Sequence, residues 1–371
     1  MTSVWTAEQV GTIDLNRVDR VPIITEAKRG GLQDGRVYWD MWPIQNQDGR
    51  IANCRGRELW MALTAPDRGD PSLRHFEAKI RLLERLDGSW HDLGDVLPNE
   101  PVPYEREWAG SAVKQDNRVS LYFTAAGTAE RGGGYQQKLF EAHAILSDDG
   151  LPTDWADPAP SIAGHSPLYD AADVHEGEAG KIKAFRDPAF FRDPADGCEY
   201  LIFTASLADA QTDFNGAAGI ARREENGWAL LPPIIHADGV NNELERAHVV
   251  FHEGRYYAFW VTQSSTFAPG LRDAPNGLYG MVSDSITGEY SPLNGSGLVL
   301  ANPQDEPLQA YSWFVSRELL VSSFIDFWGL SDVPAHHDPE DMDRKFGGVP
   351  APLLQLKIDG DCCELVQMET A

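Results

Sequence analysis

The sequence predicts an all-β chain folded as a five-bladed β-propeller, with the active site in the central cavity, and three observations support this. Five runs, 59–64, 121–125, 201–205, 257–262 and 320–325, are apolar, rich in β-branched and aromatic residues, and too short for helices. Turn signals stand ahead of four of them: Gln47-Asp48-Gly49, Asp116-Asn117, Pro194-Ala195-Asp196-Gly197 and Glu253-Gly254. Before each hairpin lies a polar-aromatic motif: Trp39-Asp40, Glu107-Trp108, Arg186-Asp187, Glu245-Arg246 and Tyr311-Ser312. Counted from positions 40, 107, 187, 245 and 311, the intervals are 67, 80, 58 and 66 residues. A sustained period of that length, filled with short antiparallel strands, is the mark of propeller blades. A β-sandwich would not explain why five motifs keep one relation to a hairpin.

The strand that opens each hairpin is expected to be innermost, so that its first residues line the channel. Residues 1–371 are expected to form one catalytic domain, because closed all-β architectures often reach this length as a single unit. Helical patterns are sparse. The stretch 76–83 reads as a strand ahead of a turn at Asp87-Gly88, Gly132-Gly133-Gly134 as a flexible turn, and 332–348 as a surface loop. His336-His337-Asp338 in that loop could hold a metal, but solvated loop histidines are commoner; no metal and no cofactor is expected.

Acidic residues outnumber basic ones 57 to 31, for a formal charge of −26, which repels phosphate backbones and anionic lipid surfaces. Nucleic acid and membrane partners are not expected; the acidity points to solubility or salt tolerance. No basic segment followed by an apolar one opens the sequence, and no run of about 18 apolar residues occurs. Cys54, Cys198 and the adjacent Cys362 and Cys363 form neither a disulfide framework nor a metal-ligand pattern. A cytoplasmic protein, or one exported by a signal-independent route, is the expectation.

Three carboxylates stand at strand starts beside aromatics or arginines: Asp40, Asp187 and Glu245. Cleavage of a glycosidic bond needs an acid, a nucleophile or base, and apolar faces for the sugar ring, and these residues supply all three. Strand alternation puts Glu243 and Glu245 on one face, where like charge raises the proton affinity of one carboxyl; an exposed acidic strand offset by Arg246 is the plainer alternative. Asp40 between Trp39 and Trp42 is either a sugar pocket or a partly exposed turn aspartate. Arg186 beside Asp187 is by itself an ordinary salt bridge, and Trp108 and Tyr311 either stack on sugars or pack the channel.

Taken together, Trp39-Asp40-Met41-Trp42-Pro43, Glu107-Trp108-Ala109-Gly110-Ser111, Phe185-Arg186-Asp187-Pro188, Asn242-Glu243-Leu244-Glu245-Arg246 and Gln309-Ala310-Tyr311-Ser312 resemble glycoside hydrolase family 68, the levansucrases and related bacterial β-fructofuranosidases. Gly277-Leu278-Tyr279-Gly280 and the stretch 293–300 are similar to the family as well. The resemblance implies a five-bladed propeller acting on sucrose through a retaining double displacement. Asp40 would be the nucleophile, Glu245 the acid/base and Asp187 the transition-state stabiliser. Trp39, Trp108, Arg186, Glu243, Arg246, Gln263 and Tyr311 would shape the sugar subsites.

Three positions depart from the family pattern: Asn242 in place of aspartate, Thr204 in place of a glutamate, and an uncharged 262–267 stretch where many members carry an arginine or histidine. The first removes a charge near the acid/base, the second a support of the fructosyl pocket, and the third implies weaker holding of an acceptor and so transfer to water or small sugar acceptors. A levansucrase making long β-2,6-fructan and a non-catalytic sugar-binding propeller are the alternatives.

Overall fold

The computed structural model describes residues 2–27, 30–98, 102–127, 134–162, 166–173, 178–329 and 345–366. They form five blades of antiparallel strands around a central channel. The inner strands are Arg36–Asn46, Arg106–Gln115, Phe185–Arg192, Glu245–His252 and Ala310–Val315 for blades one to five. Each pairs with a second strand that contains one of the predicted apolar runs: Arg57–Pro66, Arg118–Ala126, Glu199–Ser206, Arg255–Thr262 and Leu320–Phe327. These second strands are apolar on both faces because blades pack face to face, which is why they lack alternation.

Every inner strand is broken by a bulge at the same place. Pairing skips from Trp39 to Trp42, Trp108 to Gly110, Arg186 to Ala189, Glu245 to His248 and Tyr311 to Phe314. In four blades the bulged residue takes a left-handed backbone: Asp40 (φ 45°), Asp187 (φ 58°), Arg246 (φ 51°) and Ser312 (φ 62°). Such conformations cost on the order of 1–3 kcal/mol each for residues other than glycine and cluster at functional sites. Blade two has a smaller bulge made at Ala109. It depends on Gly110, where a Cβ would lie 1.9 Å from the Tyr122 carbonyl oxygen.

The true structural equivalents are therefore Trp39, Trp108, Arg186, Glu245 and Tyr311. The motif pairs of blades one, three, four and five keep this register; in blade two the pair is Trp108-Ala109, one residue later than Glu107-Trp108. Glu107 is buried and accepts from Lys79 Nζ at 2.9 Å and the Ile80 N–H at 2.8 Å, so it anchors blade one to blade two.

The blades are tied differently from one another. The inner strands of blades one and two share a parallel ladder, Ile44–Asn46 against Ala112–Lys114, so these two blades form a continuous sheet. Ser3–Val4 adds a parallel strand to the outer edge of blade three, at Ile235 and His236. The neighbouring Trp5 is fully buried against Trp260, Tyr279 and Phe267 of blade four, with its indole N–H donating to the Ser296 carbonyl at 2.9 Å.

Two expectations are adjusted. The stretch 76–83 is a strand from Lys79 onward, but Phe76 ends a 3-10 helix, Pro71–Phe76. Of 332–348, residues 346–348 belong to a strand, Phe346–Pro350, paired with blade five, because Phe346 packs on Phe324 and Phe327. His336, His337 and Asp338 lie outside the described residues, as do Gly132 and Gly133. Among the described residues, no helix is long and apolar enough to cross a membrane.

Candidate active site

The bulges deliver the carboxylates to one end of the channel. Asp40 remains partly exposed, held between fully buried Trp42 and nearly buried Trp39. Asp187 is buried; its Oδ2 accepts from Thr204 Oγ1 at 3.0 Å and faces Arg186 Nε at 3.4 Å. The Asp187 N–H donates to Thr124 Oγ1 at 2.7 Å, and the Arg246 N–H donates to Thr204 Oγ1 at 2.8 Å. One device is used twice: a buried threonine of the preceding blade caps the bulge that carries the next site residue. Thr204, which stands where the family pattern has a glutamate, thus supports Asp187 directly.

Glu245 accepts from the Tyr311 hydroxyl at 2.6 Å on Oε2, and the Gln263 side chain lies beside that hydroxyl. Arg186 is the hub. Its Nη2 bonds Glu243 Oε1 and lies 3.7 Å from Glu245 Oε1, while Nη1 donates to Gln137 Oε1 at 3.4 Å. Burial opposes the Arg186 charge, but Glu243, Asp187 and Glu245 outweigh it and its pKa is raised. Burial likewise lifts the carboxyls. Glu245 rises to about 8, with Glu243 adding to the lift and Arg186 opposing it, and Asp187 rises to about 6, with Arg186 opposing and Asp40 adding. Asp40 acts electrostatically on both, so carboxylates from blades one, three and four share one space.

Glu243 and Glu245 do meet on one side, with Leu244 fully buried on the other, but residues 242–244 form no strand. The turn is set from behind. Asn241 Oδ1 accepts from the Glu243 N–H at 2.8 Å and from Thr262 and Thr266 hydroxyls at 2.9 and 3.0 Å. Gly216 lets the blade-three edge come close, since a Cβ there would lie 2.7 Å from Asn242 C and Glu243 N. Asn242 is fully buried, donating to the Asp213 carbonyl at 2.7 Å and accepting from the Gly180 N–H; it fastens loops around the turn.

The remaining residues stand as follows. Trp108 is partly exposed, its indole donating to the His75 carbonyl at 3.3 Å and its ring edge-on to Tyr135. Trp39 is 2% exposed and edge-on to His75, so these rings form a wall between blades one and two. The Arg246 guanidinium is buried, donating to Ser312 Oγ at 2.8 Å, the Ser312 carbonyl at 3.1 Å and the Met41 carbonyl at 3.0 Å. It joins blades four, five and one beneath the site. Sequence reasoning missed Arg74 and Asp326, which act electrostatically on each other and on Asp40. Asp326 could have been noticed as the one charge in the apolar strand Leu320–Phe327.

The levansucrase/invertase family model matches residues 1–222 and 211–370. The chain is a member of glycoside hydrolase family 68. Among family relatives, a levansucrase of Erwinia amylovora is 31% identical, over 87% of this chain and 84% of its own length. A levansucrase of Zymomonas mobilis is 32% identical, over 89% and 82%. Of solved structures, an inulosucrase from Halalkalicoccus jeotgali bound to kestose superposes with a TM-score of 0.88 at 37% identity, covering 98% of this chain and 95% of that one. A Bacillus subtilis levansucrase, at 22% identity and a TM-score of 0.80 over 99% and 95%, shares the fold.

Proposed function

We propose that the chain is a sucrose-cleaving fructosyltransferase that works by retaining double displacement and passes the fructosyl group to water or small sugar acceptors. The observation that carries this reading is the convergence of Asp40, Asp187 and Glu245 from three blades, with burial and the neighbouring Glu243 raising the proton affinity of Glu245. Retaining cleavage needs one carboxylate to attack and one carboxyl to protonate the leaving oxygen.

Asp40 attacks the anomeric carbon of the fructosyl unit, while Glu245 protonates the departing glucosyl oxygen. The bond to glucose breaks as that to Asp40 forms. Glu245, now ionised and held by Tyr311, then takes a proton from the incoming acceptor hydroxyl, whose oxygen displaces Asp40. Asp187, fixed by Thr204 and Arg186, holds fructosyl hydroxyls and offsets positive charge at the anomeric centre as it develops. Arg186 keeps Glu243 and Asp187 from repelling each other.

The segment around Gln263 has no charged side chain from Thr262 to Phe267, and the group it places beside Tyr311 is the neutral amide of Gln263. Neutral groups grip an acceptor sugar less firmly than a cation would, which favours water and short acceptors. Incubation with sucrose tests this. Near-equal glucose and free fructose, with oligosaccharides of a few units, is expected; long fructan as the main product would refute the preference for small acceptors, and no glucose release would refute the activity itself.

A further inference from the structure

Beside Asp40 lies a second polar cluster that the double displacement does not use. The 3-10 helix Pro71–Phe76, capped by Asp70, which accepts from the Ser72 N–H at 2.9 Å, carries Arg74 into the channel end. The Arg74 guanidinium carbon lies 5.6 Å from the Trp39 ring centre and 4.8 Å from that of Phe346. Phe346 pairs with Phe327, the neighbour of Asp326. Arg74 therefore stands between the Trp39-Asp40 bulge of blade one and Asp326 of blade five. Asp326 and Asp40 lead the charges acting on it.

What marks the cluster is unused bonding capacity. Among the described residues, Trp39 Nε1, Arg74 Nε and Asp326 Oδ1 are all buried without a hydrogen-bond partner. Among the described residues, no ion pair closes the gap between Arg74 and either carboxylate; its one protein bond is from Nη1 to the Pro71 carbonyl at 2.7 Å. Buried orphaned groups cost on the order of 1–3 kcal/mol each, so three together call for an occupant. Arg74 and Asp326 nevertheless each keep some exposure.

The mixture of donors and an acceptor selects the occupant. An anion would meet Asp326 and Asp40, and a cation would meet Arg74. A neutral hydroxyl donates and accepts at once and suits both.

The geometry points to a hydroxyl-binding subsite, formed by Arg74, Asp326 and the Trp39 indole, that grips one hydroxyl of the furanosyl ring while Asp40 attacks it. This rests on the proposed action on sucrose. Arg74 and Asp326 are positioning residues in it, fixing the ring over the nucleophile through a group remote from the bond that breaks.

The experiment compares the wild-type protein, Asp326→Asn and Arg74→Lys on sucrose and on sucrose analogues lacking one fructosyl hydroxyl at a time. Wild-type turnover of sucrose comes first, and its absence removes the reading on which the subsite rests. Given turnover, Asp326→Asn is expected to lower kcat/KM for sucrose by about tenfold or more, and wild type is expected to disfavour one analogue by a similar factor. Against that one analogue the variant should lose no more than about twofold relative to wild type. Unchanged kcat/KM, or an equal loss on every analogue, overturns the subsite. If Asp326→Asn fails to fold, Arg74→Lys is judged by the same two outcomes.

Discussion

Glu245 can act as an acid only if it still holds its proton when substrate arrives, and its neighbours decide that. Burial and the charge of Glu243 raise its pKa to about 8, while Arg186 pulls the other way. Removing the Glu243 charge takes away a raising influence and leaves Arg186 freer to stabilise ionised Glu245. Glu243→Gln is therefore expected to move the alkaline limb of the kcat/KM profile to lower pH, measured as initial sucrose cleavage from pH 5 to 9. A limb that stays in place, or moves upward, would show that Glu243 does not tune the acid. At this scale the sequence was informative where chemistry is written in adjacent residues: Asp40 between tryptophans, Arg186 beside Asp187, Glu243 two before Glu245. It marks Asp326 as the one charge in an apolar strand but gives no sign that Arg74 meets it, because Arg74 arrives on a 3-10 helix that does not resemble the repeat.

The unit that makes the site is the bulged inner strand, and five copies of it put Trp39, Trp108, Arg186, Glu245 and Tyr311 at equivalent places. The hairpins were legible because their turns carry Gly, Asp and Asn at fixed places, but the bulges were not. A left-handed Asp40, Arg246 or Ser312 has no sequence signature once glycine is absent, and the smaller blade-two bulge at Ala109 sets the motif there one residue later than the sequence spacing predicts. Below the bulges, His248 joins blade four to blade five. Its Nε2 accepts from the Val315 N–H at 3.0 Å, Nδ1 lies 2.9 Å from the Arg246 carbonyl oxygen, and the ring stacks on Phe314. Accepting at Nε2 requires the neutral ring, and burial lowers its pKa to about 3. With an unfolded value near 6.5, the unfolded chain binds the extra proton first, so this contribution is complete above about pH 6.5 and is lost as pH falls toward 3. His248→Gln should flatten that part of the stability–pH curve in denaturant titrations; an unchanged slope would mean the ring is not held neutral.

For the whole molecule, the net charge of −26 is a standing repulsion that folding must overcome. Raising salt from about 0.01 M to about 1 M shortens the Debye length from about 30 Å to about 3 Å and screens it. The melting temperature is expected to rise across that range, and a flat or falling trend in calorimetry would show that the acidic groups are already balanced locally. The overall architecture was readable from period and hairpin count, since five repeats of similar length leave few ways to close a ring. The ties between blades were not readable, because ladders such as Ile44–Asn46 against Ala112–Lys114 and caps such as Thr204 join segments with no shared pattern.

The parallel pairing of Ser3–Val4 with Ile235 and His236 bears on assembly during synthesis. A chain leaving the ribosome from its amino end presents this edge strand more than two hundred residues before its docking partner exists. Blades one and two, already sharing a ladder, can organise meanwhile, whereas Trp5 stays unburied until blade four offers it Trp260 and Tyr279. A strand made ahead of all five blades is thus among the last to find its place.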